Sequence, residues 1–190
     1  MPLPLSNLRT SSLRLNKANG VALALAGLAC ATFLAVGNPA AADDKAACEQ
    51  FSWPVKRELA MFGAADLHTT ASGATLDAPP TGVALQLQPN SAVAFVLPPE
   101  RQPKSPESWA GVITIANVPK AGAYQVTTSA EAWIDVIQNG KAVASTAHTG
   151  KRDCADVRKS VRFELQPGAV TIQLSGADSK LIKLALLPVE

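Results

Sequence analysis

The chain has 190 residues, with 17 lysines and arginines against 15 acidic residues, and only 5% of its residues are aromatic. Three of the basic residues (Arg9, Arg14 and Lys17) and none of the acidic ones fall in the first 42 positions, so residues 43–190 carry 14 against 15, a net charge of −1. That balance removes the compositional case for a nucleic-acid partner, which draws on a surplus of positive charge to displace counterions, and so few aromatics argue against an extended stacking platform for sugars.

The first 42 residues read as a signal peptide. A basic, acid-free start precedes the apolar run "GVALALAGLACATFLAV" at 20–36, and "NPAAAD" places small residues at Ala40 and Ala42 before Asp43. The run is short for a bilayer span, so no stable membrane span is expected after cleavage, and the expected location is periplasmic or secreted. Gly27 stands where a lipobox carries leucine before Cys30, which argues against lipidation. Two cysteines follow, Cys48 and Cys154. An even count in an oxidising compartment predicts one disulfide, closing a loop for which chain entropy gives about 4–5 kcal/mol.

Residues 43–74 are expected to form a short amphipathic helix and a linker. In "CEQFSWPVKRELAMF", Pro54 suits a first helical turn. Val55, Leu59 and Phe62 share a face, with Lys56, Arg57 and Glu58 directed elsewhere. Residues 75–190 read as an all-β domain, an antiparallel β-sandwich or jelly roll. "GVALQLQP" alternates Val83, Leu85 and Leu87 with polar partners, and "SAVAFVLP" sets Val93, Phe95 and Leu97 on one side. "AGVITIANVP" and "GAYQVTTSA" flank a short turn. "EAWIDVIQNGKAVAST" reads as a hairpin turned by Asn139-Gly140, a pair suited to the positive φ angles of a type I′ turn. "RKSVRFELQPGAVTIQLSG" reads as a second hairpin, and "SKLIKLALLPV" as a central strand, apolar on both faces.

Two stretches fall outside this pattern. "LPPERQPKSPESWAG" holds four prolines between 98 and 106 and should be an extended, polyproline-like surface loop. "STAHTGKRDCADVRKS", 145–160, reads as an irregular basic segment anchored at Cys154.

The strand and turn order from about 122 to 188 resembles the second half of secreted carbohydrate-binding-module-like and galactose-binding-like sandwiches, in its "aG-Y" turn, "nG-k" hairpin and "f-L-pG" turn. The resemblance implies a non-catalytic ligand-binding scaffold. The whole chain also resembles a group of small exported bacterial β-sandwich proteins that share a "C-x-x-F-x-W-P-x-x-R-E" start and a "PPER-x-PKS" loop, some of them labelled homogentisate 1,2-dioxygenase. That label implies a non-haem iron site of two histidines and a carboxylate, which here means His68 and His148 with Asp135, Glu131 or Asp153.

The residues themselves give catalysis little material. The histidines stand alone in polar contexts without a His-x-His pattern, no serine sits in a G-x-S-x-G elbow, and no glycine loop cradles phosphate. No cofactor is expected. Trp53, Trp109, Trp133 and Tyr124 are the candidate aromatic contacts. Trp133 shares its face with Asp135, and apart from these two residues the hairpin that carries them is accounted for by folding and reads mainly as scaffold. The residues left unexplained are Arg101, Lys104 and Trp109 in the proline-rich loop, with His148, Lys151 and Arg152 in the basic segment. Gathered at one end of the sandwich, they would suit an anionic envelope glycan or a protein partner. The remaining alternatives are the two-histidine metal enzyme and a purely structural envelope protein.

Overall fold

A computed structural model describes residues 46–190; the expected signal peptide and its cleavage site lie outside the described residues. The chain runs α1 (Lys56–Phe62), β1 (Thr69–Ala71), β2 (Thr75–Leu76), β3 (Thr81–Gln86), β4 (Gln88–Pro89), a 3-10 turn (Asn90–Ala92), β5 (Trp109–Val118), β6 (Gly122–Thr128), β7 (Trp133–Gln138), β8 (Lys141–Val143), β9 (Ser145–Gly150), β10 (Lys159–Leu165), β11 (Gly168–Ala177) and β12 (Leu181–Pro188). The strands form two sheets. Sheet A has the order β1-β3-β12-β6-β10-β9, and sheet B the order β2-β5-β11-β7-β8, with β4 also paired to β5. The protein is all-β and sandwich-like: Val83, Leu85, Val126, Phe163 and Leu184 of sheet A meet Ile113, Ile115, Val136, Ile172 and Leu174 of sheet B in one core.

The sheets are mixed, which corrects the antiparallel expectation. β1 runs parallel to β3 and β2 parallel to β5. The short segment that leaves the helix lays one small strand on an edge of each sheet, so the β-structure begins at Thr69, inside the expected linker. A second correction concerns the 159–177 "hairpin". β10 pairs with β6 and β9, whereas β11 pairs with β5 and β7. The two strands lie in opposite sheets, and their apolar faces meet across the core. Gln138 fixes the crossover: its amide accepts from the Gln166 N–H at 2.9 Å and donates to the Gln166 carbonyl at 2.8 Å. The Asn139-Gly140 turn is a true two-residue hairpin, with φ of 53° and 73°. β12 is central, flanked by β3 and β6, and buries both faces, Leu184 and Leu186 inward and Ala185 and Leu187 outward.

Residues 51–62 cover the outer face of sheet A. Phe51, Trp53, Val55 and Phe62 pack with Cys154, Val157 and Ala185 in a separate apolar cluster, and the Cys48–Cys154 disulfide ties the segment down. Glu58 does not point away from this face; it is fully buried. Its Oε1 accepts from the Gln125 amide and from Thr127 Oγ1, while Oε2 has no partner. The polar side chains at outward positions of β6 and β10 explain this burial. Thr127 bonds Ser160 at 2.8 Å, Trp53 Nε1 donates to Ser160 at 3.1 Å, and the Arg162 guanidinium lies 4.1 Å from the Trp53 ring centre.

Candidate functional site: a groove and a cleft beside Trp133

Val93, Phe95 and Leu97 alternate with exposed neighbours as a strand would, yet residues 93–108 pair with no strand. They lie against the outer face of sheet B. Gln173 projects from that face of β11 and replaces a backbone partner: its Oε1 accepts from the Val96 and Leu97 N–H groups, and its Nε2 donates to the Leu97 carbonyl at 3.0 Å. The prolines that follow supply no N–H to continue a ladder, so one side-chain amide holds the segment in place of strand pairing.

This placement builds a groove of ≈ 540 Å³ between the proline-rich loop and the β9–β10 connection. Arg101, Lys104, Glu107 and Trp109 line one wall and Arg152 and Arg158 the other, with Glu131 and Asp178 also in the lining, so cations outnumber carboxylates four to three. Two further lining residues, Ser108 and Ser175, carry buried hydroxyls that bond to no protein group. Trp109 is half-buried against the core, and the Lys180 ammonium lies 4.9 Å from its ring centre. Arg158 is not a free cation, because it pairs with Glu131 at 2.5 Å.

Trp133 forms the ridge between this groove and a neighbouring cleft of ≈ 400 Å³. Its indole N–H donates to Asp135 Oδ1 at 2.8 Å, and the Glu100 amide reaches Asp135 Oδ2 at 3.4 Å. The Arg101 guanidinium lies 5.5 Å and the Lys159 ammonium 5.0 Å from the ring centre, both within cation–π range. Lys159 also donates to the Ala132 carbonyl at 3.2 Å. Burial, opposed by the hydrogen bonds from Trp133 and Glu100, raises the Asp135 carboxyl above its ordinary value. Burial lowers the Lys159 ammonium, with Glu131 opposing the shift and Arg101 and Arg158 adding to it. A third hollow, ≈ 570 Å³, runs along Phe51, Trp53, Pro54, Val55 and Leu59, with Glu49, Lys56 and Asp156 also on its walls.

Of the six residues expected to bind, Arg101, Lys104, Trp109 and Arg152 meet in the groove. His148 lies in the cleft instead, on β9, so the basic segment begins as an edge strand rather than as a loop. Lys151 lines neither; its backbone N–H bonds the Arg158 carbonyl at 3.1 Å. Glu131, Arg158 and Lys159 also line these hollows; the sequence offers Glu131 only as a metal carboxylate and Arg158 and Lys159 only as a basic pair, and the hairpin of Trp133 reads there mainly as scaffold. The available signal was Trp133 and Asp135 at i and i+2 on one strand face, close enough to bond each other.

The two-histidine metal site is not assembled. His68 precedes β1 and His148 lies in β9, at opposite edges of sheet A and five strand steps apart, about 24 Å measured along the sheet. Among the described residues, no group of three or more His, Cys, Asp or Glu side chains gathers as a ligand set. Among them, too, no helix is long and apolar enough to cross a membrane. No family model matches the chain, and neither does any curated protein or solved structure.

Proposed function

We propose that this chain is a non-catalytic binding module of the bacterial cell envelope, exported by its signal peptide to the periplasm or beyond. In this reading a jelly-roll-like sandwich, with the N-terminal helix docked on one face, presents the groove at 101–109 and 152–158 to an anionic glycan. One observation carries the reading: two segments some fifty residues apart bring Arg101, Lys104 and Arg152 to one groove beside Trp109. Lys104 and Arg152 are exposed, and among the described residues neither has a carboxylate partner. Ser108 and Ser175 add hydroxyls with no protein partner. Exposed cations of this kind bind polyanions with marked salt dependence.

Affinity electrophoresis of the leaderless protein in gels containing polygalacturonate, dextran sulfate or neutral dextran tests the reading. Retardation by the two polyanions but not by dextran is expected, and the Lys104→Ala/Arg152→Ala variant should lose most of it. Equal mobility in all gels, or a variant as strongly retarded as the parent, would overturn the proposal.

A further inference from the structure

We propose that the cleft between the sheet edges receives a small amphiphilic anion, its apolar body seated against Val143, Val161 and Phe163 and its carboxylate, phosphate or sulfate head held between Arg101 and Lys159. This does not rest on the glycan reading, although Arg101 and Trp133 stand in the wall shared with the groove.

The cleft exists because β8 is short. It pairs with β7 only through Val136↔Val143, Ile137↔Ala142 and Gln138↔Lys141. The chain then crosses at Ala144 to become β9 of sheet A. The edge of β7 from Trp133 to Asp135 is left without a partner on that side, and the space beside it opens onto core side chains of both sheets. Its size, ≈ 400 Å³, falls within the range of small-molecule sites.

Lys159 gives the cleft its chemistry. Along β10 it falls in step with the inward-facing Val161, Phe163 and Leu165, two residues apart each time, so it occupies a core-facing position at the end of the strand. Lysine is rarely placed there unless its charge is paired. Among the described residues no carboxylate lies within ion-pair distance of Lys159 or of Arg101. The nearby acids are engaged elsewhere, Glu131 with Arg158, and Asp135 with the Trp133 indole and the Glu100 amide. Two cations thus converge on one ring and repel each other, and an anion between them relieves both. Glu100 stands exposed on the rim and disfavours a second negative charge, so a monoanion fits best. His148, also exposed on the rim, contributes a polar contact.

The test is a fluorescence titration of the leaderless protein with 8-anilinonaphthalene-1-sulfonate, followed by displacement with octanoate, octyl sulfate, octanol and octyltrimethylammonium. Saturable one-site binding is expected, displaced by octanoate and octyl sulfate at least about tenfold more effectively than by octanol, as a charge-assisted contact requires. A preference between octanoate and octyl sulfate identifies the head group. Arg101→Gln and Lys159→Gln should each weaken probe binding about tenfold, and Val143→Trp should block it by filling the cleft. If Val143→Trp fails to fold, Arg101→Gln decides, since that side chain is exposed on a loop. Lys104→Ala/Arg152→Ala should bind the probe normally whatever its behaviour with polysaccharide, which separates the two sites. No saturable binding, equal displacement by octanol, or unchanged affinity in both cation variants would overturn the proposal.

Discussion

Lys159 of sheet A stands over Trp133 of sheet B, its ammonium 5.0 Å from the ring centre. The contact joins the two sheets at the rim of the core, where the inward alternation of β10 ends in a charge rather than an apolar side chain. Trp133 is polarised twice: its N–H bonds Asp135 and its ring meets two cations. A ring so engaged offers little free face for sugar stacking, so the ridge acts through its charges.

Replacing Lys159 by Met should slightly stabilise the fold at neutral pH, by roughly 0.5 kcal/mol or less after solvent screening. The sign follows from linkage. Burial lowers the pKa of Lys159 in the folded state below the ordinary 10.5, so folding disfavours its charged form. That penalty is full at pH 7. It fades as pH rises from the lowered value towards 10.5, where the unfolded chain still binds the proton and the folded chain has released it. Urea denaturation across pH 7 to 10.5 should show the variant's advantage shrinking as pH rises. An advantage that grows with pH would contradict this assignment.

Glu58 should tolerate amide replacement and not truncation. Glu58→Gln keeps an oxygen to accept from Gln125 and Thr127 and replaces the unpartnered second oxygen by a neutral amide nitrogen. Its stability should equal or exceed that of the parent. Glu58→Ala strands the Gln125 amide and opens a void beneath the helix, at a cost of about 1–3 kcal/mol. Thermal denaturation of both variants provides the check, and a Gln variant less stable than the Ala variant would show that the carboxylate charge itself is required.

Gln173→Ala should release residues 93–97 from sheet B, because one side chain answers the N–H groups of Val96 and Leu97 and the Leu97 carbonyl. The expected cost is about 1–3 kcal/mol. Limited proteolysis should cut within the proline-rich loop sooner than in the parent. Unchanged cleavage there would mean that the loop's own packing holds it.

The strands were legible in the sequence wherever alternation was strict, as at Val83/Leu85 and Val161/Phe163/Leu165. Alternation fixes which face of a strand is apolar and leaves open which strand it pairs with. The segments 159–165 and 168–177 therefore read as a hairpin, although they belong to opposite sheets. Val93, Phe95 and Leu97 misled for a related reason: they are half-buried on alternate positions, but a glutamine side chain satisfies the backbone that a strand would have satisfied. The basic half of the groove was visible in Arg101, Lys104 and Arg152, because cations in long loops have no folding role to explain them. Lys159 was hidden because its inward orientation depends on strand register and on where β8 ends, neither of which is local to 159.

Reducing the Cys48–Cys154 bond, or replacing both residues by Ser, should loosen the N-terminal cover before the core. The bond closes a 106-residue separation, for which loop entropy gives about 4–5 kcal/mol at most. The segment it secures rests on a small cluster around Phe51, Trp53, Phe62 and Val157, apart from the two-sheet core. Hydrogen exchange should therefore rise first at the helical amides of Leu59 and Gly63, which bond the Val55 and Leu59 carbonyls. Amides between β5 and β11 should keep their protection. Cys154 lies two residues from Arg152, so the same change should also weaken retardation by polyanions. Uniform exchange across helix and core would show instead that the cover and the sheets unfold as one unit, and that the disulfide stabilises the whole fold rather than one face.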